Sequence, residues 1–323
     1  MLYRGRFAPS PTGDLHLGSA AAALFCAAAA LRAGGTLVLR MEDLDADRVI
    51  AGKDAAILDD LRWLGLTWDE GPDVGGAAGP YVQSQRRDRY AAAIDRLALS
   101  GLTYYCDCSR AEIARAASAP HAGEEGPRYP GTCRPQGMRA RTFRRPPAVR
   151  LAVPADARVA IDDAVLGPLE EDVAAVTGDF VLRRGDGVFA YQLAVVVDDL
   201  AMGITDVVRG GDLASSAPRQ ALLARLLGGE PPRFAHVPLL LGPDGARLAK
   251  RAAGMTLRDQ RAAGRSAADL AGALAAAYGH RLGEAADPLR ALADALDLRR
   301  LRGLTVVVGA SLAGRAIGPG ETC

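Results

Sequence analysis

Aromatic side chains, net charge and long apolar runs are all scarce in this 323-residue sequence. Phe, Trp and Tyr make up 5% of the chain, too few for the stacking platform that grips single-stranded nucleic acid. Lys and Arg number 39 against 38 Asp and Glu, so a polyanion feels no global attraction and any RNA contact must come from a local patch. The longest apolar run, residues 20–31, is mostly alanine and falls short of the roughly 18 residues of a spanning helix. Arg4 and Arg6 precede that run as in a secretory signal, but Pro9, Pro11, Gly13, Asp14 and His16 interrupt it, so the expectation is a cytoplasmic chain with no membrane segment. Five cysteines are an odd number for a disulfide framework, and three of them, Cys106, Cys108 and Cys133, lie close together, which suits a metal clip in a reducing compartment. Cys26, inside the alanine-rich run, reads as core. What is plentiful is globular: 49% hydrophobic and 24% charged residues, in a length that makes about two domains.

A strand over residues 6–8, a Pro and Gly turn, a helix over 18–32 stopped by Gly34 and Gly35, and a strand over 36–41 form the opening of a doubly wound α/β parallel sheet. Such a sheet binds its ligand at the carboxyl ends of the strands. Ile50, Ile57, Leu58, Leu61 and Leu64 recur at helical spacing, and a further helix is predicted from a Ser84 cap to Leu99 with Gly101 as its stop. Between residues 104 and 145 cysteines, glycines, prolines and basic residues break the pattern, so something other than apolar burial must hold this insertion. Alternating runs over 149–161 predict strands, and 180–191 predicts a hairpin turning at Gly185, Asp186 and Gly187. A strand over 204–208, a helix over 216–227 and a strand over 237–241 then resume the sheet. After Met255 the pattern is helical, with Ser266 capping a helix to about Tyr278 and another over 288–301. The expected division is 1–103 and 186–254 as two halves of one catalytic domain, 104–185 as the insertion, 255–302 as a small helical domain, and 303–323 without assignment.

Two segments carry chemistry. In RFAPSPTGDLHLGS, residues 6–19, a strand feeds a tight turn and His16 stands just ahead of a helix whose free N–H groups attract phosphate; His16 can donate to an α-phosphate as charge builds on it. In GPDGARLAKR, residues 242–251, Lys250 and Arg251 follow a glycine-bearing turn, and a cation on such a loop can close over a pyrophosphate leaving group. Taken alone, the first reads better as a structural turn and the second as a solvated basic loop.

Together, in this order and separated by an insertion, they resemble the two signatures of class I aminoacyl-tRNA synthetases, HLGS standing for HIGH and RLAKR (247–251) for KMSKS. LRMEDLDADR (39–48) and YQLAVVVDDLAMGITDVVRGGDL (191–213) look like the glutamyl branch, so the resemblance covers residues 6 to about 251. It implies a Rossmann-type class I catalytic domain that activates L-glutamate with ATP and Mg²⁺, with His16 and Lys250 catalytic and Pro9, Thr12, Gly18 and Arg247 joining them around the nucleotide. A substrate with two carboxylates and an ammonium calls for guanidinium forks and an acid; by resemblance Arg6, Ser10 and Arg209 contact glutamate, Glu42 holds its amino group and Tyr191 lines the pocket. Asp45 and Asp47 read better as an acidic cap on the following helix.

About 70 residues follow the basic loop, too few for an anticodon-binding portion. With FVLRRGDGVFAYQLAVVVDD (180–199), this is similar to the glutamyl-Q tRNA(Asp) synthetases, which transfer glutamate to the queuosine base at the wobble position of tRNA(Asp). Cys106, Cys108, Tyr129 and Cys133 resemble that family's single structural Zn²⁺ site, with His121 as the alternative fourth donor. The expected partners are ATP, L-glutamate and queuosine-bearing tRNA(Asp), and the expected state is a monomer. Arg247 replaces the usual Lys and Ala249 the usual Ser of the basic loop. The alternatives are a compact synthetase charging tRNA(Glu), a small-molecule nucleotidyltransferase, and an inactive RNA-binding paralogue.

Overall fold

The computed structural model describes residues 2–116, 128–242, 244–246, 254–283, 285–309 and 312; His121, Arg247, Ala249 and Lys250 therefore lie outside the described residues, as does most of the tail. The first strand, β1 (Arg4–Phe7), leads into α1 (Leu17–Arg32), and β2 (Thr36–Leu39) runs parallel to β1 with Arg6 opposite Val38. The chain continues through α2 (Lys53–Trp63), α3 (Arg87–Leu99), β3 (Thr103–Cys106), α4 (Arg110–Ala116), β4 (Ala148–Leu151), β5 (Arg158–Asp163), β6 (Gly167–Asp172), α5 (Val173–Val176) and β7 (Val181–Arg183). It then forms α6 (Tyr191–Ala201), β8 (Asp206–Gly210), α7 (Ala217–Leu226), β9 (Arg233–Val237), β10 (Leu240–Leu241), α8 (Leu257–Ala262), α9 (Ala267–Ala277), α10 (Pro288–Ala295) and β11 (Val306–Val307).

The central sheet has the order β2-β1-β8-β9, every pair parallel. Its strands come from both sides of the intervening stretch, which itself makes an antiparallel sheet, β3-β4-β7, and a hairpin, β5-β6. Because β1 has β2 on one side and β8 on the other, the strand order reverses there, and sheets of this kind take their ligand beyond the carboxyl end at such a point. Alanine explains how α1 fits beneath the sheet. The helix packs against β1 and β8 on one side and α9 and α10 on another, and side chains as small as Ala20, Ala21 and Ala28 let it be buried almost all round.

Several boundaries differ from the sequence reading. The turn at 185–187 forms, with the Gly187 N–H donating to the Arg184 carbonyl at 3.0 Å, but Tyr191 opens a helix instead of closing a hairpin arm, since the apolar run after it is long enough to bury a full helix from Leu193 to Val197. Pro238, which has no N–H to give a ladder, ends β9 at Val237, so the strand lies at 233–237, and Leu240–Leu241 forms a short strand outside the central sheet. Ser84 is no helix cap: it sits in a 3₁₀ turn, Gln83–Arg86, and its N–H donates to the Asp43 carboxylate at 2.7 Å. The helix over 288–301 stops at Ala295, and Asp297 caps a separate 3₁₀ turn, Leu298–Leu301. The unassigned stretch contributes β11, parallel to β10.

Candidate active site

The turn after β1 is laced to the chain after β2: the Pro9 carbonyl accepts from the Glu42 N–H at 2.9 Å and the Pro11 carbonyl from the Ile50 N–H at 3.0 Å. His16 is the N-cap of α1. Its Nδ1 accepts from the Ser19 N–H at 3.1 Å, which leaves the neutral ring's proton on Nε2, 3.1 Å from Ser19 Oγ. A β-carbon at Gly18 would stand 3.1 Å from that Nδ1, so the glycine is what lets the imidazole lie over the helix end. Beyond the basic loop the chain comes back to this turn: the Leu17 N–H donates to the Met255 carbonyl at 2.9 Å and the Leu257 N–H to the Leu15 carbonyl at 2.8 Å. Thr12 is half-buried and Ser10 exposed.

At the carboxyl ends of the sheet strands lies a cluster of buried ions. Arg40, wholly buried just past β2, donates to Asp199 at 2.7 Å and to Glu42 at 3.1 Å, and Arg6 on β1 reaches Asp199 at 3.4 Å. Neighbouring Asp198 takes Arg86 at 2.5 Å, Gln83 at 2.8 Å and the Tyr90 hydroxyl at 2.9 Å, tying α6 to α3 and the turn before it. Asp199 stays ionised: burial raises its pKa, but Arg6 and Arg40 outweigh that and lower it. Glu42 goes the other way. Burial pushes its pKa up, and Arg40 and Arg6 do not fully offset it.

Arg209, near the end of β8, is equally buried, yet among the described residues its hydrogen bonds go to neutral acceptors: His236 Nε2 at 3.0 Å, Gln220 Oε1 at 2.8 Å and the Leu213 carbonyl at 3.1 Å. Burial lowers its pKa, and neighbouring charges do not restore it. Tyr191, at the start of α6, keeps 37% of its surface exposed, and its hydroxyl feels Arg209, Glu42, Arg6 and Asp199 together. The folded chain thus gathers four of the residues expected around glutamate, Arg6, Glu42, Tyr191 and Arg209, into one electrostatic neighbourhood. Within it the cations beside Glu42 do not fully offset its burial, and the acids near Arg209 do not offset the burial of its guanidinium.

In the insertion, the Sγ atoms of Cys106, Cys108 and Cys133 lie within 4.8 Å of one another, and Cys108 Sγ is 3.6 Å from the Tyr129 hydroxyl. Three thiols so close could hold a metal ion such as Zn²⁺, whose Zn–S bonds run to about 2.3 Å, with the Tyr129 phenol beside them. Around them the Asp107 carboxylate binds Arg141 at 2.8 Å and the Arg144 N–H at 3.0 Å.

Residues 3–287 match the family of class I tRNA synthetases (E and Q), catalytic domain. The chain belongs to this family. It is 53% identical over 278 residues to the glutamyl-Q tRNA(Asp) synthetase of Nitratidesulfovibrio vulgaris, spanning 85% of this chain and 86% of that one. It is 51% identical to the protein of the same name from Symbiobacterium thermophilum, spanning 92% and 93%. A glutamate–tRNA ligase of Heliobacterium modesticaldum is 45% identical, but the match spans 77% of this chain and 51% of that one. Among solved structures, a glutamate tRNA ligase from Elizabethkingia meningosepticum in complex with its amino acid superposes with a TM-score of 0.79 at 25% identity, over 97% of this chain and 68% of that one. The α/β architecture with its parallel sheet is therefore the class I synthetase fold.

Sequence reasoning missed Arg40, Asp199, Asp163 and His236 in this synthetase. Arg40 and Asp199 stand inside quoted motifs, LRMEDLDADR and YQLAVVVDD, and a charge within a strand or an apolar run was the available signal. Asp163 carries a testable pH dependence. Burial raises its pKa, but the hydrogen bond to His236 and the N–H groups of Leu166 and Val165 outweigh it and hold the carboxyl at about 2, below its unfolded value of 3.8. A carboxyl depressed in the folded state contributes stability above the unfolded pKa and loses it as pH falls through the folded one, a contribution of roughly 2–3 kcal/mol. Urea denaturation should show Asp163→Asn less stable than the wild type at pH 5, with the gap closing as pH falls from 4 toward 2.

Proposed function

We propose that this chain uses ATP to activate L-glutamate as glutamyl-adenylate and transfers the glutamyl group to the queuosine base at the wobble position of tRNA(Asp). The observation that carries the amino-acid half is the pair of opposite deficits: a ligand ammonium beside Glu42 and a ligand carboxylate beside Arg209 would supply the balance that the neighbouring charges do not. Glutamate brings both groups on one molecule. The acceptor half rests on the relatives that match over most of both lengths, which carry the glutamyl-Q tRNA(Asp) synthetase name at 49–53% identity.

In this reading Arg6, Ser10 and Arg209 engage the carboxylates, Glu42 takes the ammonium and Tyr191 walls the pocket. Pro9, Thr12, Gly18 and Arg247 shape the nucleotide side. ATP enters with Mg²⁺. The glutamate α-carboxylate attacks the α-phosphorus and pyrophosphate leaves; His16, with its proton on Nε2 at the helix end, and Lys250 stabilise the charge that moves onto the phosphates. A ribose-like hydroxyl on the queuosine ring then attacks the adenylate carbonyl, and AMP leaves. Positioning and electrostatics do the work, with no covalent enzyme intermediate. Met255 and Leu257, hydrogen-bonded beside His16, tether one end of the loop that carries Lys250 to this turn. Lys250→Ala is expected to slow adenylate formation at least tenfold, on the order of 1.4 kcal/mol, in single-turnover assays.

Cys106, Cys108, Tyr129 and Cys133 would hold one structural Zn²⁺, which when bound would fix the stretch 104–145, poor in apolar side chains. The insertion of residues 104–185 then divides two halves of a catalytic domain, 1–103 and 186–254, with a small helical domain over 255–302. Among the described residues no helix is long and apolar enough to cross a membrane, and a cytoplasmic monomer fits the reading. The test is ATP–pyrophosphate exchange in the presence of queuosine-bearing tRNA(Asp). Exchange should require glutamate and be silent with glutamine or aspartate; absence of glutamate-dependent exchange would contradict this function.

A further inference from the structure

Arg209 is held by a second layer of side chains that the reaction itself does not use. His236 on β9 is its register partner across the strand pair, and the two side chains meet at 3.0 Å between Arg209 Nε and His236 Nε2. Arg209 also lies over the Phe234 ring, 5.2 Å from its centroid, while Phe234 stacks on His236. On the far side of the imidazole, Nδ1 is 2.6 Å from Asp163 Oδ2. Asp163 is fixed in turn: its Oδ1 accepts from the N–H groups of Val165 at 2.9 Å, Leu166 at 2.8 Å and His236 at 3.2 Å, so the tip of the β5-β6 hairpin is clamped to β9.

These contacts decide the tautomer. A guanidinium can only donate, so Nε2 must present its lone pair; an ionised carboxylate can only accept, so Nδ1 must carry the proton. An imidazolium would aim an N–H at an N–H. The neutral ring has two consequences for Arg209. It fixes the guanidinium plane without neutralising it, whereas an acid in the same place would quench the charge. It also spends Nε, and with Gln220 and Leu213 each taking one further N–H from the two terminal nitrogens, Arg209 retains one N–H on each of them, the number that a bidentate carboxylate takes.

We propose that His236, set in its Nδ1–H tautomer by Asp163, is a positioning residue that orients Arg209 with its charge intact for a carboxylate of the amino-acid substrate. This rests on the reading of Arg209 as a glutamate-binding residue. Two variants separate positioning from mere packing. His236→Asn keeps an amide N–H where Nδ1 meets Asp163 but removes the acceptor facing Arg209; His236→Gln keeps an acceptor near Nε2. In the complete charging reaction, with ATP, Mg²⁺ and queuosine-bearing tRNA(Asp), His236→Asn should raise KM for glutamate at least tenfold with KM for ATP unchanged, and His236→Gln should return it to within about threefold of wild type. Equal effects of the two variants, or a matching rise in KM for ATP, would overturn the proposal. Arg209→Gln run alongside tells the two ideas apart. If it leaves KM for glutamate unmoved, the binding role of Arg209 and this proposal fall together; if it raises KM while His236→Asn does not, only this proposal falls. Should the variants not fold, ring-nitrogen NMR of the wild type decides: His236, one of four histidines in the chain, should appear as the Nδ1–H tautomer at pH 7, and an Nε2–H signal would sink the idea.

Discussion

Arg40→Met is expected to destabilise the protein by about 3–5 kcal/mol, the cost of taking one partner out of a buried ion cluster. Methionine fills much of the arginine's volume, so the loss is electrostatic more than steric. Arg40 is wholly buried and supplies Asp199 and Glu42 with their shortest cationic contacts, at 2.7 and 3.1 Å, with Asp198 3.7 Å from its Nε. Without it, Asp199 keeps, among the described residues, only Arg6 at 3.4 Å, and Glu42, whose pKa burial already raises, moves further toward its protonated form. The two failures can be measured apart. Denaturant titration reads the stability, and KM for glutamate at a temperature where the variant is still folded reads the weakened acid, since a protonated Glu42 no longer attracts an ammonium. A variant as stable as the wild type would mean that Asp198 and Asp199 find compensation elsewhere.

Arg209→Gln acts on the opposite deficit. Removing a buried charge that meets a substrate carboxylate costs on the order of 3 kcal/mol, so kcat/KM for glutamate should fall about 100-fold while KM for ATP holds. Arg209→Lys should not rescue it, because an ammonium cannot both hold His236, Gln220 and Leu213 and present the two remaining N–H groups of a planar fork to the carboxylate. Steady-state kinetics with each substrate varied in turn settles the point. A fall in kcat alone, with KM for glutamate constant, would place Arg209 outside the amino-acid pocket.

The residues legible in the sequence were those whose signal is local. Pro, Gly and the helix start around His16 specify a turn and an N-cap within a few residues, and the strand-turn-helix-strand opening follows from periodicity. The boundaries that moved depended on tertiary competition. Tyr191 could close a hairpin or open a helix, and the burial of residues 193–197 between layers decided for the helix. The supporting residues were illegible for another reason: His236 and Asp163 are 73 positions apart, and Arg40 and Asp199 are 159 apart, so no spacing rule links them. Only parallel strand register brings Arg209 opposite His236. The cysteine cluster was legible because its ligands sit close in sequence, although the chain order alone left Tyr129 and His121 as rival donors; the structure sets Tyr129 beside the thiols, and His121 lies outside the described residues.

The most direct measurement supplies ATP, Mg²⁺ and labelled glutamate with three acceptors in parallel: queuosine-bearing tRNA(Asp), the same tRNA lacking queuosine, and tRNA(Glu). Label on the first alone, carried by the anticodon fragment and not by the 3′-terminal adenosine after nuclease digestion, is the outcome expected. Label on tRNA(Glu) alone would contradict the account and make the chain a compact synthetase of the ordinary kind.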